Sequence, residues 1–405
     1  MKLALLVEYY PPSRASAAVQ MSDLAQMLKR EGHEVTLFTA SAEIADACVR
    51  NEAGVLVVRV PTGKAKGIGL VRRAMNEIFM SLALWRGTRR CRVSVDRFDG
   101  VIWYSPTIFL APFVAWLKRK SGVRGYLILR DLFPQWAVDA GVMRRGLAYY
   151  FFKVCEHFQY RTADVIGVQS PANLEYFGNM RWTSHQVEVL YNWLDQSRPE
   201  PPCSHLLEHY RISDKRILVY GGNMGVAQDV DNLVRLAERI RHAEDVALLL
   251  VGSGSEAPRL KAAIVDRKFV NVVLSDEIEP EAFRSVLRRC HAGIITLDRR
   301  LTTHNIPGKL LAYLEAGLPV IASVNSGNDL LTIIKTSGVG LGFVNGDDEA
   351  FAEAAVSLVR DPARCAAMSE RARALSKERF SVESVTRQLV TAFDEAQPIH
   401  VALKA

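Results

Sequence analysis

Short apolar runs of strand length recur along this chain, each followed by a loop and then by apolar residues at helical spacing. That alternation admits few folds. Lys2–Tyr10 (KLALLVEYY) reads as a buried strand and Pro11–Ser16 as a loop. Ala17, Met21, Leu24, Ala25 and Leu28 then recur at helical spacing, and Gly32 stands where a C-terminal cap belongs. Glu34–Ala40 is the next strand, so the chain opens β–loop–α–β, as a doubly wound parallel sheet does. Runs at Val55–Val60, Gly100–Tyr104, Tyr126–Leu129, Asp164–Gln169 and Val187–Tyr191 continue it. A polar, Pro-rich stretch near 196–204 reads as a link, and the pattern restarts at Arg216–Tyr220, Val246–Val251, Val270–Leu274, Gly293–Leu297 and Pro319–Ala322. The fold class is therefore α/β, with two Rossmann-like doubly wound domains, 1–195 and 196–380. Residues 381–405 are expected to form a C-terminal helix that crosses back to the first domain.

A chain of 405 residues exceeds one ordinary core, and 49% apolar content suffices for two. No apolar run approaches the roughly 18–20 residues that span a bilayer. The N-terminus enters a strand at once, so no signal peptide is expected. The six cysteines are scattered without a C-x-x-C pair, which points to a reducing compartment and against a zinc site.

Charge is uneven. Residues 1–195 hold 25 Lys/Arg against 17 Asp/Glu. Within them, Lys64–Arg97 carries nine basic residues against Glu77 and Asp96. Apolar and basic residues alternate over Gly67–Arg92 in the manner of a basic amphipathic helix, with Trp85 suited to a headgroup interface. The expected partner of this stretch is an anionic membrane surface. Nucleic acid is the rival acidic partner, but no nucleic-acid motif accompanies the patch. A surface helix packed on the sheet accounts equally for its apolar face.

The candidate chemistry gathers at loops that follow strands. In the second domain Thr302–Val320 runs from a polar loop through Pro307, Gly308 and Lys309 into an apolar helix that Gly317 can stop. Pro in the first turn costs no helical hydrogen bond. The free N–H groups and positive end of such a helix favour an anion, and Lys309 adds a full charge. This is read as a diphosphate seat, against the plain alternative of an ordinary capped helix. The turn Gly221–Gly225 can aim N–H groups at a phosphate. Asp229-Val230-Asp231 reads as helix capping rather than a metal-binding pair. In the first domain, the loop from Glu8 to Ser16 lies beyond a strand's C-terminal end, where open sheets bind ligands. It contains no glycine, which argues against a dinucleotide site. Arg14 there either contacts an anion or is a solvated loop residue. Arg130-Asp131, ending another strand, is either part of the same ligand edge or a structural ion pair.

Taken together, GGNMG at 221–225, VGSG at 251–254 and IPGKLLAYLEAGLPVIAS at 306–323 on two restarted α/β domains resemble the GT-B glycosyltransferases of family four. The wording YLILRD-x-FP, GGNMGVAQD and THNIPGK is similar to bacterial O-antigen and capsule enzymes that transfer N-acetyl-L-fucosamine. The resemblance covers nearly the whole chain. It implies a GT-B fold, two Rossmann-like domains facing a central cleft, and a retaining, metal-independent transfer that uses no cofactor. The donor would be a nucleotide sugar, most simply UDP-linked, on the second domain. The acceptor would be a lipid-diphosphate-linked saccharide on the first, at the cytoplasmic face of the membrane. Lys309, Arg130, Asp131 and His304 would stand at the reacting centre. Gly222, Asn223, Gln228, Asn305, Pro307, Gly308, Lys309 and Glu315 would hold the donor, and Glu8, Arg14 and Ser16 would lie on the acceptor side. The chain departs from the family where two glutamates are common, at His304 and Ala312, and where Gln228 replaces a lysine. Those departures keep open a GT-B sugar-nucleotide 2-epimerase and a catalytically silent GT-B subunit.

Overall fold

The computed structural model describes residues 1–13, 15–63, 76–105, 107–139, 141–178, 186–197, 199–302 and 306–394. Arg14, His304, Asn305 and the 64–75 part of the basic stretch lie outside the described residues. The chain forms two compact units: Met1–Asp195 together with the chain from Val382, and Gln196–Ser381.

The first unit is built on strands β1 (Lys2–Val7), β2 (Glu34–Ser41), β3 (Cys48–Glu52), β4 (Val55–Pro61), β5 (Gly100–Tyr104), β6 (Gly125–Leu129), β7 (Val165–Val168) and β8 (Gln186–Val189). Their order in the sheet is β3-β4-β2-β1-β5-β6-β7-β8. All pairs are parallel except β3 with β4. Successive side chains of a strand point to opposite faces. Leu3, Leu5 and Val7 accordingly join one core with Met21, Leu24 and Leu28 of the helix Ser16–Arg30. Ala4 and Leu6 join the other core with Phe113, Val114 and Leu117 of the helix Ala111–Ser121. Both faces are covered, which is why the central strands read as unbroken apolar runs rather than alternating ones.

The second unit carries β9 (Arg216–Gly221), β10 (Val246–Val251), β11 (Val272–Ser275), β12 (Ala292–Thr296), β13 (Val320–Val324) and β14 (Gly340–Val344), in the all-parallel order β11-β10-β9-β12-β13-β14. Strand order reverses between β1 and β5 and again between β9 and β12. These are the switch points beyond which open α/β sheets hold ligands.

Several expectations need correction. The first run ends as a strand at Val7, because Tyr9, Tyr10 and the two prolines leave the sheet. β3 was not expected. CVRNE is polar and half exposed, as befits an edge, and it pairs with β4 through Ala53 and Gly54, both at positive φ (50° and 85°), the geometry of a tight hairpin turn. β14 was also missed, its GLGFV too glycine-rich to read as a strand. In the basic stretch, Met80–Arg90 is helical, with Met80 and Leu84 in the core. Arg89 stacks over Trp85 at 4.6 Å and Arg90 pairs with Asp46 at 3.0 Å, so two of its cations rest on the protein's own surface. Asp229 stands at the N-cap of the helix Val230–Arg239 but makes no side-chain cap bond. Its carboxylate accepts instead from Asn345 at 2.8 Å and Arg235 at 3.3 Å, and Asp231 pairs with Arg259 at 2.6 Å.

Past Ser381 the chain returns to the first unit. Val382, Val385, Leu389 and Ala392 of the helix Val382–Asp394 enter the core that holds Leu3 and Leu5. Val382 N–H donates to the carbonyl of Leu194 at 3.1 Å, and Arg124 to that of Ala392 at 2.9 Å. Leu389 is fully buried. Leu389→Ala should therefore destabilise the first unit by about 2–5 kcal/mol in urea unfolding. A loss no larger than that of a surface substitution would contradict this packing.

Candidate glycosyl-transfer site

The site of the second unit is assembled at the ends of β9, β10 and β12. Gly222 follows β9 at φ +100°, a conformation open to glycine, and its N–H donates to the carbonyl of Val251 at 2.9 Å. A Cβ on Gly252 would lie 2.0 Å from the carbonyl oxygen of Gly222, so only glycine lets the loop after β10 close on the turn after β9. Met224 N–H donates to Ser253 O at 2.8 Å, and Gly225 N–H to the Gln228 side chain at 3.1 Å. Most of the turn's amide hydrogens are thus spent inside the protein, which narrows its expected role as a phosphate cradle. Gly222 and Asn223 are its exposed members. Gln228 Oε1 also accepts from Asn223 Nδ2 at 2.9 Å, so it fastens the turn rather than supplying a charge. Thr296 at the end of β12 donates to the carbonyl of Gln228 at 2.6 Å and joins that strand to the assembly.

Against this frame stands the helix Lys309–Ala316, whose inner residues Leu310, Leu311, Tyr313 and Leu314 are buried. Gly308, at its N-terminus, is exposed, and a Cβ there would meet nothing within 4 Å. The first N–H groups of a helix have no helical acceptor of the usual kind; here those of Leu310 and Leu311 donate to the carbonyls of Pro307 and Gly308 at 3.0 and 3.1 Å, which leaves the amides of Gly308 and Lys309 as the starting donors without an acceptor among the described residues. Tyr313 was not anticipated, though Gly293 opposite it was a signal. The ring fills the place of a Cβ on Gly293, which would lie 2.3 Å from it. The Tyr313 hydroxyl accepts from Gly221 N–H at 2.9 Å and lies 3.2 Å from the carbonyl of Ile294. One phenol therefore ties the helix to the ends of both β9 and β12.

Lys309 is brought directly to the glycine turn. Its Nζ donates to the hydroxyl of buried Tyr220 at 3.0 Å and lies 4.1 Å from that ring's centre. The same hydroxyl donates to the carbonyl of Asn223 at 2.8 Å. The side chain is half-buried, and desolvation of its ammonium pushes it down to about 7, with no carboxylate among the described residues holding it up. It is a poorly solvated cation poised for an anion.

Glu315 is differently placed. Six residues along, about 9 Å from the helix start, its carboxylate accepts from Arg284 at 2.8 Å, and Arg284 also pairs with Glu281. This geometry commits it to helix packing instead of the expected ribose contact. Ala312 is half exposed.

In the first unit, Glu8 follows β1, Arg130 and Asp131 follow β6, and Ser16 opens a helix, all at the C-terminal edge of that sheet. Ser16 is exposed, whereas Glu8 is 6% exposed. Arg130 is 5% exposed and donates to the carbonyls of Leu190 (2.5 Å) and Tyr191 (3.2 Å), its guanidinium 5.1 Å from the Trp193 ring centre. Its two terminal nitrogens thus staple the ends of β6 and β8, while its buried Nε makes no hydrogen bond among the described residues. Burial pushes the Asp131 carboxyl up, with Arg130 opposing.

Two family models match the chain. "Glycosyl transferase 4-like domain" matches residues 17–193 and "Glycosyl transferases group 1" matches 215–361, one on each unit. This chain is a family-four-type glycosyltransferase. Among curated proteins, the transferase is similar to the glycosyltransferase WbjE of Pseudomonas aeruginosa, 23% identical over 67% of this chain and 68% of that one. It is also similar to the colanic acid biosynthesis glycosyl transferase WcaI of Escherichia coli, 21% identical over 83% and 86%. A sucrose-phosphate synthase from Thermosynechococcus elongatus superposes with a TM-score of 0.76 at 15% identity, over 97% and 98% of the two chains. HepE of Anabaena, solved with UDP and glucose, gives 0.69 at 14% over 97% and 99%. The fold of the transferase is GT-B.

Tyr313→Phe leaves Gly221 N–H buried without its acceptor. It should lower the stability of the second unit by about 1–3 kcal/mol, read by denaturant unfolding. Wild-type stability in that variant would show that the phenol does not hold the helix in place.

Proposed function

We propose that the transferase moves a sugar from a UDP-linked donor to a lipid-diphosphate-linked saccharide, in the assembly of a bacterial surface polysaccharide. The donor sugar is taken to be N-acetyl-L-fucosamine or a related N-acetylated amino sugar. The observation that carries the nucleotide-diphosphate part is the seat at Gly308–Lys309: an exposed helix start beside an ammonium with no carboxylate counter-ion among the described residues. The solved relative HepE binds UDP and glucose, and an Escherichia coli trehalose-6-phosphate protein was solved with UDP-2-fluoro glucose. WcaI, by its name, belongs to colanic acid biosynthesis, which favours a polysaccharide product.

The chemistry asked of this chain is electrostatic. An acceptor hydroxyl oxygen forms a bond to the anomeric carbon as the bond to the β-phosphate oxygen breaks. The hydroxyl proton passes to the departing diphosphate, on the same face, and the configuration is retained. Charge accumulates on that diphosphate, and Lys309 with the Gly308–Lys309 amide hydrogens is placed to receive it. Neither a metal nor a cofactor enters this scheme. Glu8 and Ser16 are assigned to the acceptor side. The membrane face from which a lipid-borne acceptor is taken is the cytoplasmic one.

Lys309→Met should weaken UDP binding about tenfold to a hundredfold in calorimetry, the worth of a charge-assisted bond, and lower transfer at least as far. The pH dependence has a defined sign. The ligand-free ammonium loses its proton near pH 7, and a bound diphosphate stabilises the charged form. Binding above about pH 7 therefore takes up a proton, and affinity should fall by up to about tenfold per pH unit there. In Lys309→Met the slope should vanish. Equal affinity in wild type and variant across that range would remove Lys309 from the seat. Conversion of a UDP-N-acetylhexosamine without any acceptor would instead identify an epimerase.

A further inference from the structure

The helix Leu147–Thr162 is built inside out. Leu147, Tyr150, Phe151, Val154 and Phe158 fall within about 100° of one another on a helical wheel. That arc faces solvent: Leu147 is 92% exposed, Val154 69% and Tyr150 61%. The opposite side is polar and buried. Glu156 is 2% exposed and accepts from Tyr160 and Tyr176, each at 3.1 Å, and it pairs with Lys153. Gln159 is fully buried. A soluble helix places these two faces the other way round, and an apolar stripe of this kind marks a surface that is covered in use.

The surroundings point to what covers it. Arg144 and Arg145 are exposed just before the helix and Arg161 is exposed at its end, so cations bracket a stripe about 16 Å long. Between 141 and 161 the single acidic residue is Glu156, which is buried. The stripe also continues sideways. Phe109 packs its ring 6.5 Å from Phe151 and accepts through its carbonyl from Ser81 at 2.5 Å. On that neighbouring segment Phe79 is 54% exposed and Leu82 38%.

We propose that the Leu147–Phe158 face is the membrane-docking surface of the transferase, lying in the plane of an anionic bilayer with its aromatic and aliphatic side chains among the acyl chains and its arginines at the headgroups. Apolar stripe and basic ends together are the signature of an interfacial helix. The proposal deepens the reading of a lipid-borne acceptor and rests on it only for its purpose. It centres the contact on a helix where no membrane role was expected, beside the Phe79–Leu82 part of the Lys64–Arg97 stretch.

The full chain, sedimented with phosphatidylcholine vesicles with and without phosphatidylglycerol, tests it. Wild type should pellet with the mixed vesicles. Val154→Glu combined with Phe158→Glu should lower that partition about tenfold or more, with melting temperature and UDP affinity unchanged. Arg144→Glu with Arg145→Glu should lower binding to the mixed vesicles alone. Val154→Trp should shift its emission to the blue on adding them. Equal pelleting of wild type and Val154→Glu/Phe158→Glu would overturn the proposal. So would a wild-type dimer in analytical ultracentrifugation that the same pair dissociates, since the face would then serve self-association. UDP calorimetry on these proteins keeps the two readings apart. Lost vesicle binding with intact UDP binding supports docking and spares the transferase reading, whereas intact vesicle loss in the variant beside absent UDP binding in wild type would defeat the donor assignment alone.

Discussion

An ammonium held in a half-buried place, with a phenol as its partner and no carboxylate beside it among the described residues, is the constraint around which the second unit is arranged. Lys309 lies 3.0 Å from the Tyr220 hydroxyl. Holding a cation there is unfavourable for the protein alone, and the cost is reflected in the fall of its pKa to about 7. The rest of the unit supplies the rigidity. Tyr313 locks the helix to two strand ends, Gly252 lets two loops close backbone against backbone, and Gln228 fastens the turn. These contacts use up most of the polar groups around the turn, so that the cation and the exposed helix start stand out as what is left for an anion.

The first unit manages its cations in the opposite way. Arg130 is buried with its two terminal nitrogens directed at main-chain carbonyls, and these hold strand ends together. An arginine after a strand is thus by itself a poor guide to function, because its guanidinium can be turned to the protein's own backbone. Surface charge in this unit goes instead to the flanks of an outward apolar helix, at Arg144, Arg145 and Arg161.

Much of the architecture was legible in the chain. Strands buried on both faces leave runs such as LALLV, GVIWY and VALLLV that few other structures produce, and their bounds agree with the sheet to within two or three residues. The helix start at Lys309 was equally plain, because Pro-Gly-Lys before an apolar run has a local cause. Contacts made across the fold were not legible. Tyr313 looks like one more core aromatic until Gly293 is seen beneath its ring. Glu315 looks available until Arg284 arrives from another helix. The Leu147–Thr162 helix escaped notice because its aromatic content suggests core, and only the structure reveals which face is turned inward. β3 and β14 were hidden by polar or glycine-rich composition that edge positions tolerate.

The central claim is that the Lys309 ammonium is the group that meets a nucleotide's diphosphate. Nuclear magnetic resonance of the lysine Nζ, assigned through a Lys309 variant, tests it most directly by titration with and without UDP. The account predicts a midpoint near 7 in the ligand-free transferase and a clear upward shift when UDP is bound. A Lys309 resonance whose titration is the same in saturating UDP would contradict it.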